Sequence, residues 1–407
     1  MNVLFLSELF YPHGGGAELA TYLYANILAN KNFNIIVVTN NNTTTNTIIS
    51  KKDNLVIYRL NLLKANNSIK YSILSKFDIL FSNFMRKMIK WADIVYIPRF
   101  WFSAIPLAKA FGKPVILHLH DYIPLCPLSN LYNASKKEVC NKKNYICSRC
   151  IHIYERNSNR SIYKNILSVG LNITIGKYIC KLIELADAII CVSKEQRNII
   201  IKKKPFLSSK IRVIYNPIHY VNKKIKIEGK DFGYFGGPNY LKGFHVLIEA
   251  MKMINLFKGK SIQIHATKFP DSYIQNNRRF LNKLSINPYN KLNEDKYNSV
   301  YRQVQTVIVP SIWPEPWPYV VIEALLRGRF LIASSVGGIP EQIRGCKGVL
   351  LCEPGNHKQL AEAIKFAESL SMETKAELGL HNREIFLKRF NDETTLSKFI
   401  SICEHLT

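Results

Sequence analysis

The stretch 307–343 constrains the fold most, because it places a helix-like segment between two strand-like segments within one short unit. Residues 307–309 and 331–333 are apolar runs that favour buried strands, and 319–326 has a helical pattern. Prolines in the loop before 319 keep that loop out of helical geometry. A strand, a crossover helix and a second strand predict a parallel sheet in a protein of the α/β class.

Two glutamates of this unit suit a ligand that carries hydroxyl groups. Glu315 lies in the proline-rich loop and Glu323 about one turn inside the helix. Both can therefore face the carboxyl end of the strand, where open α/β sheets bind ligands. A carboxylate accepts hydrogen bonds from a sugar diol or a ribose, but it repels a phosphate. The alternative is a solvated helix face and a surface loop.

A glycine pair follows the second strand, in the sequence SSVGGIPE. Gly337 and Gly338 have no side chain, so their backbone amides can approach a ligand closely. The alternative for this pair is a tight turn that binds nothing.

These motifs resemble the sugar-nucleotide half of a family 4 glycosyltransferase. Glu315 and Glu323 match the E-x7-E pair of that family, and Gly337, Gly338 and Glu341 match its GG-x-PE turn. The resemblance covers most of the chain. It implies the GT-B fold, in which two Rossmann-like α/β domains with parallel sheets face each other across a cleft.

Length and apolar content agree with two globular domains. A chain of 407 residues is long for a single core. No apolar run approaches the roughly 20 residues that span a bilayer, and the first residues read as a buried strand rather than a signal peptide. We therefore expect a cytoplasmic protein that could act at the inner face of the membrane.

The charge balance implies an anionic partner. Lys and Arg number 56 against 29 Asp and Glu, which gives a net charge of +27. No basic segment interleaved with aromatic residues resembles a nucleic-acid module, so we expect no nucleic acid. Peripheral association with an anionic membrane is the favoured alternative, since lysines near such a surface contribute about 1 kcal/mol each.

The domain boundary is predicted in a charged, proline-containing segment at 202–210. Residues 1–205 then form an acceptor-side domain with a cysteine-rich insertion at 122–155, and 206–390 form a nucleotide-sugar-binding domain. The resemblance implies that a final helix at 391–407 packs back on the first domain.

A glycine-rich loop connects the first strand to the first helix. Amides of such a loop can hold an anion at the helix N-terminus. Gly15 and Gly16 resemble the family's glycine loop near the donor diphosphate, and Glu18 matches the acidic residue that follows. Asn216 resembles the residue of the family's turn near the hinge, and we count it among the donor-binding residues. A flexible connection is the alternative for the glycine loop.

Two histidines follow the strand at 115–117. His118 and His120 alternate along the chain, so they point to the same side. His120 and Asp121 resemble the family's His-Asp pair, which would place the imidazole of His120 near the donor sugar and the acceptor hydroxyl. A structural histidine is the alternative.

Four cysteines cluster after this pair, at Cys126, Cys140, Cys147 and Cys150. The C-x2-C spacing lets two thiolates bind one metal, and four cysteines complete a tetrahedral zinc site. We hypothesise a structural zinc with no open position for catalysis; free thiols or disulfides are the alternative. Some family members are similar in carrying a cysteine-rich insertion.

The loop 236–243 resembles the family element whose arginine and lysine hold the diphosphate. Lys242 matches the lysine, whereas Gly237 or the following proline occupies the place of the arginine. The diphosphate would therefore depend on Lys242, on backbone amides including that of Gly237, and on another cation. A solvated lysine is the alternative.

The resemblance implies a retaining transfer of a sugar from a nucleoside diphosphate to a hydroxyl acceptor without a catalytic metal. Lys242, Glu315 and His120 would be the catalytic residues, with Glu315 orienting the sugar, Glu323 the ribose, and His120 the acceptor. Assembly of a cell-surface polysaccharide or glycolipid on a lipid-linked acceptor is the expected role. The open alternatives are a catalytically silent sugar-nucleotide-binding or membrane-associated partner protein and a sugar-nucleotide epimerase.

Overall fold

A computed structural model of the chain describes residues 1–40, 48–60, 82–141, 150, 151, 153, 162–218, 226–255 and 262–407. These residues form two compact units. Unit 1 comprises Met1–Pro217 and Asp392–Thr407, and unit 2 comprises Ile218–Asn391.

The described strands of unit 1 are β1 Asn2–Leu6, β2 Asn34–Asn40, β3 Ile48–Lys52, β4 Leu55–Leu60, β5 Ile94–Ile97, β6 Val115–Leu119, β7 Tyr132–Asn133, β8 Glu138–Val139, β9 Ala188–Cys191 and β10 Ile211–Val213. Eight of them form one sheet in the order β10-β9-β6-β5-β1-β2-β4-β3. Every pair in this sheet is parallel except β3 with β4. The strands β7 and β8 form a separate antiparallel pair.

Helices of unit 1 connect these strands: α1 Gly16–Ala29, α2 Asn83–Trp91, α3 Ala104–Ala110, α4 Ile162–Glu184, α5 Lys194–Lys203, and a 3₁₀ turn Pro205–Leu207. The central strand β1 is apolar and buried from Val3 onward, as expected for a parallel strand that is covered on both faces. Within the part of the chain that the structure describes, no helix combines the length and apolar composition that crossing a bilayer requires.

Unit 2 contains the strands β11 Asp231–Tyr234, β12 Ile264–Ala266, β13 Ile286–Pro288, β14 Val304–Val309, β15 Phe330–Ser334 and β16 Val349–Cys352. They form a parallel sheet in the order β13-β12-β11-β14-β15-β16. Its helices are α6 Phe244–Asn255, α7 Asp271–Lys283, α8 Glu294–Gln303, α9 Tyr319–Leu326, α10 Ile339–Gln342, α11 His357–Ser369 and α12 Met372–Arg389.

The strand-helix-strand unit predicted from residues 307–333 is β14-α9-β15. Thr306 pairs with Phe330 and Val309 with Ala333 in a parallel register, and all residues of both strands are buried. The predicted α/β class with parallel sheets is confirmed.

The described boundary between the units differs from the predicted one at residue 205. The short strand β10 pairs in parallel with β9, so residues assigned to the second domain extend the sheet of unit 1. Unit 1 continues to Pro217, and Asn216 therefore belongs to it.

The last helix, α13 Asp392–Leu406, belongs to unit 1. Phe399 on this helix is fully buried. Its ring centroid lies 5.2 Å from that of Tyr24 and 5.4 Å from that of Tyr96. The helix thus completes the core beside α1 and β5.

Candidate functional site

Glu315 lies in the loop between β14 and α9 and is 3% exposed. Its Oε1 accepts hydrogen bonds from Nζ of Lys242 at 2.5 Å and from Oγ of Ser311 at 2.7 Å. Its Oε2 accepts no hydrogen bond from any described residue. One oxygen is therefore fixed, and the other remains able to accept a hydrogen bond from a ligand.

The glycine pair packs against the backbone of Glu315. Gly338 donates its amide hydrogen to the carbonyl oxygen of Glu315 at 2.7 Å. Gly337 has φ of +58°, and a β-carbon at this position would overlap the same carbonyl oxygen. The amide of Gly338 thus stabilises the loop that carries Glu315 and is not available to a ligand. Among the described groups, the amide of Gly337 has no acceptor.

Glu323 projects from the first turns of α9 and is bonded through one oxygen. Its Oε2 accepts a hydrogen bond from Oη of Tyr297 at 2.5 Å and lies 3.4 Å from Oη of Tyr301 and from Nη1 of Arg327. Burial raises the pKa of both tyrosines, which therefore remain hydrogen-bond donors. The Oε1 atom accepts no hydrogen bond within the described parts of the chain.

Lys242 ends a loop that is built on the carboxyl end of β11. Asn239 accepts hydrogen bonds from the amides of Leu241 and Lys242 through Oδ1, which is a local turn geometry typical of asparagine. The Lys242 ammonium also lies 5.3 Å from the ring centroid of Trp313. Its pairing with Glu315 places a carboxylate counter-charge beside the ammonium.

Gly237 has φ of +65°, a left-handed conformation that glycine adopts without strain. Its amide donates to the carbonyl oxygen of Thr267 at 3.1 Å. This amide, which the sequence predicts to bind the donor, is therefore used within the fold.

In unit 1, the glycine loop is organised by Glu18, which is 3% exposed. The amide of Gly15 donates to Oε2 of Glu18 at 2.7 Å, and Nη1 of Arg99 donates to Oε1 at 2.5 Å. The Gly15 amide is thus already bonded, and Gly16 is the first residue of α1.

The two histidines stack at the end of β6, with ring centroids 4.4 Å apart. Nδ1 of His118 lies 2.6 Å from Oη of Tyr96. Burial, followed by the positive charge of Arg99, lowers the pKa of His120 to about 3. His120 is therefore a neutral imidazole near pH 7. Its Nε2 is buried and has no hydrogen-bond partner among the described residues.

Gln196 holds the segment that carries His120 and was missed from the sequence. Its Nε2 donates to the carbonyl oxygens of Leu119 and Asp121, at 3.1 and 3.0 Å. Ser193 caps α5 by accepting the amide of Gln196 at 3.1 Å. The S-x-x-Q spacing signals a helix start, but it does not reveal these long-range bonds.

Asn216 is buried, and its Oδ1 has no partner within the described chain. A buried acceptor without a partner costs free energy, so this atom could accept a hydrogen bond from a ligand.

Three of the four clustered cysteines are described, and Cys147 lies outside the described residues. Cys126, Cys140 and Cys150 are buried free thiols. Sγ of Cys126 lies 3.8 Å from Oδ1 of Asn130. Where the structure is described, no three metal-binding side chains come together. The four-cysteine zinc site stays a prediction.

The predicted residues form one group in each unit. In unit 2, Glu315 links Lys242 to the glycine pair. In unit 1, Arg99 pairs with Glu18 of the glycine loop and acts electrostatically on His120. Neither linkage is visible as a sequence motif.

Solved structures define the class of the fold as GT-B. A sucrose-phosphate synthase from Thermosynechococcus elongatus superposes with a TM-score of 0.71 at 14% identity, covering 100% of this chain and 98% of that chain. HepE from Anabaena in complex with UDP-glucose has a TM-score of 0.66 at 15% identity and covers 100% of both chains.

Sequence comparison identifies the family. Residues 14–220 match "Glycosyltransferase Family 4" and residues 221–384 match "Glycosyl transferases group 1", so the chain belongs to this family of glycosyltransferases. An uncharacterized 42.6 kDa protein in the cps region of Klebsiella pneumoniae is 25% identical over 84% of this chain and 88% of its own length. An uncharacterized glycosyltransferase of Methanocaldococcus jannaschii is 30% identical over 54% of this chain and 60% of its own length.

Proposed function

We propose that this glycosyltransferase moves a sugar from a nucleoside diphosphate to a hydroxyl acceptor with retention of anomeric configuration. The observation that carries this proposal is the bonding of the two carboxylates in unit 2. Glu315 and Glu323 each use one oxygen for protein contacts and keep the other without a described partner.

This arrangement suits two groups of hydroxyls on one donor. The fixed oxygen orients each carboxylate, and the second oxygen can accept a hydrogen bond from a hydroxyl. Glu315 would orient the donor sugar and Glu323 the ribose. Such fixed groups lower the barrier because their orientation is already set before the substrate binds.

Negative charge develops on the leaving diphosphate as its bond to the sugar breaks, and a nearby cation stabilises this charge. Lys242 would be this cation once the donor competes with Glu315 for its ammonium, and the Gly337 amide would add a donor. A positioned donor of this kind contributes roughly 3 kcal/mol to transition-state stabilisation. No metal is required for this role.

No side chain is proposed as a nucleophile. The leaving phosphate oxygen would accept the proton of the acceptor hydroxyl, which attacks from the same face and so retains the configuration. His120 would position that hydroxyl through its buried Nε2, which lacks a partner in the described chain. Its lowered pKa keeps this nitrogen free to accept a hydrogen bond.

Two similar proteins support a nucleotide-sugar donor and a role in polysaccharide assembly. HepE was solved in complex with UDP-glucose, and the Klebsiella pneumoniae relative is described as a protein in the cps region. We infer a role in cell-surface polysaccharide or glycolipid assembly, with a lipid-linked glycan as the acceptor. The net charge of +27 favours peripheral association with an anionic membrane.

A donor panel tests the proposal. Native protein and Glu323→Ala are heated with UDP-, GDP-, ADP-, CMP- and dTDP-sugars, since a ligand at 100 times its dissociation constant stabilises by about 2.7 kcal/mol. We expect one donor to stabilise the native protein alone. NMR of the product with that donor should show the donor's anomeric configuration.

The two alternatives predict other results. A silent binding protein would be stabilised by a donor without turning it over. An epimerase would release a changed nucleotide sugar in the absence of an acceptor, which requires acid and base groups on both sides of the sugar. An inverted product would overturn the retaining mechanism while leaving the transfer intact.

A further inference from the structure

We propose that Lys268 is the second cation that binds the donor diphosphate, in place of the arginine that the loop 236–243 lacks. This inference rests on the proposed function and names a further binding residue of that site. Lys268 is the second residue after β12, and the last residue of β12 pairs with Tyr234 at the end of β11. The loop 236–243 begins at this same edge of the sheet.

Backbone contacts attach Lys268 to that loop. The Gly237 amide donates to Thr267, the neighbour of Lys268. A β-carbon placed on Gly237 would lie 2.8 Å from the carbonyl oxygen of Lys268 and 3.6 Å from its Cβ. Gly237 is one of the two residues that occupy the place of the family's arginine, so the side chain of Lys268 begins beside that place.

The ammonium of Lys268 has no ion-pair partner among the described residues. The side chain of Lys268 is exposed, and its ammonium forms no hydrogen bond with the described residues. Lys242, by contrast, pairs with Glu315. A diphosphate can therefore bind Lys268 without displacing a carboxylate, whereas it must compete with Glu315 for Lys242.

Charged groups of both signs act on Lys268. Desolvation lowers the pKa of Lys268. The carboxylates of Glu323 and Glu315 raise this pKa, whereas Lys242 and Lys291 lower it. Lys268 thus lies within electrostatic range of both site carboxylates. A bound diphosphate would offset the repulsion among the three lysines.

The backbone of Lys268 is strained. Its φ is +71°, a left-handed conformation that residues other than glycine, asparagine and aspartate rarely adopt. Strain of this kind persists at ligand-binding positions because the surroundings enforce it. This conformation makes Lys268→Asn a suitable variant, because asparagine adopts a left-handed backbone readily but carries no charge.

Calorimetry with Lys268→Asn, Lys268→Arg and the native protein tests the inference. The probes are UDP, GDP, ADP, their parent nucleosides and inorganic pyrophosphate. For the diphosphate that the native protein binds best, we expect Lys268→Asn to weaken binding about tenfold or more, as for a lost charged hydrogen bond. Binding of the nucleoside should not change, and Lys268→Arg should retain binding of the diphosphate.

Lys347→Met is the matched control. Lys347 is exposed in the same unit, but it precedes β16 and so lies at the amino edge of the parallel sheet. This variant should bind the diphosphate as the native protein does. An equal loss in Lys347→Met would show a general charge effect and would overturn the inference.

Two further outcomes separate the inference from the proposed function. If the native protein binds a nucleoside diphosphate and Lys268→Asn binds it equally well, the inference is wrong and the proposed function stands. If the native protein binds neither a nucleoside diphosphate nor pyrophosphate, both are wrong. Loss of nucleoside binding in Lys268→Asn would indicate a structural role instead.

Discussion

The ammonium of Lys242 lies 2.5 Å from Oε1 of Glu315, and this ion pair joins the loop 236–243 to the loop that precedes α9. The carboxylate is buried, whereas the lysine side chain is 37% exposed. A diphosphate can therefore reach the cation from its exposed side. The pair keeps the lysine oriented before the donor binds.

Glu315→Gln should separate donor binding from transfer. The variant keeps the shape of the side chain but releases Lys242 from its counter-charge, so a nucleoside diphosphate should bind at least as tightly as before. Turnover should fall about tenfold or more, because the sugar loses a charged hydrogen-bond acceptor. Calorimetry with the diphosphate and a transfer assay measure the two effects. Unchanged turnover would contradict the assigned role.

Tyr297→Phe and Tyr301→Phe form a matched pair of variants at Glu323. Both hydroxyls face Oε2, at 2.5 Å for Tyr297 and 3.4 Å for Tyr301. Removing the shorter bond should raise the KM for the donor by about tenfold, the cost of a hydrogen bond to a charged group. Removing the longer bond should have a smaller effect. Equal effects in a steady-state assay would show that Tyr297 does not orient Glu323.

Gly337→Ala and Gly355→Ala separate steric overlap from backbone strain. Both glycines have positive φ, +58° and +82°, but only a β-carbon at Gly337 meets other atoms within 4 Å. Gly355→Ala should cost roughly 1–2 kcal/mol for the left-handed backbone. Gly337→Ala should cost about 1–3 kcal/mol more, because the added methyl group displaces the Glu315 loop.

Urea unfolding measures both glycine variants. Equal losses in the free energy of unfolding would mean that the Glu315 loop moves aside at no cost. Loss of turnover in Gly337→Ala beyond its loss of stability would show that the glycine pair positions Glu315.

Acid should destabilise the chain through His120. Burial lowers the pKa of His120 to about 3 in the folded chain, whereas a histidine in an unfolded chain has a pKa of about 6.5. Between these values the unfolded state binds more protons, so the free energy of unfolding falls as the pH drops below about 6.5. The contribution approaches about 1.4 kcal/mol per pH unit at most.

His120→Gln should lose less stability than the native protein between pH 7 and pH 5, measured by urea unfolding at both pH values. His405→Gln, at an exposed position, is the control and should keep the native pH dependence. The hypothesis is wrong if the two variants behave alike.

Elemental analysis tests the zinc prediction. We expect one zinc per chain in protein purified under reducing conditions, and less in Cys140→Ser, because each thiolate contributes one ligand. Cys352→Ser, which removes a buried cysteine of β16, should leave the zinc content unchanged. Native protein without zinc would contradict the four-cysteine site.

The strongly patterned parts of the fold could be predicted from the sequence, and the weakly patterned parts could not. Buried apolar strands such as β14 and β15 have a pattern that only a covered parallel sheet explains. The three residues of β10 follow a charged segment and resemble a linker. Only their pairing with β9 assigns them to unit 1.

Within the candidate site, spacing predicts which carboxylates belong together but not how they are bonded. Glu315 and Glu323 follow from a local motif. Tyr297, Ser311 and Lys242 become their partners through the packing of different elements. Likewise, the sequence suggests that Gly338 approaches something closely, but only the structure shows that its acceptor is the backbone of Glu315.

The position of α13 affects the order in which the chain can fold during synthesis. Unit 2 is continuous in sequence, whereas unit 1 needs Phe399 and Cys403 from beyond unit 2 to fill its core. A ribosome therefore releases every residue of unit 2 before it releases the helix that completes unit 1. Domains fold as units during synthesis, so the unit that begins first in the chain is the one that is finished last.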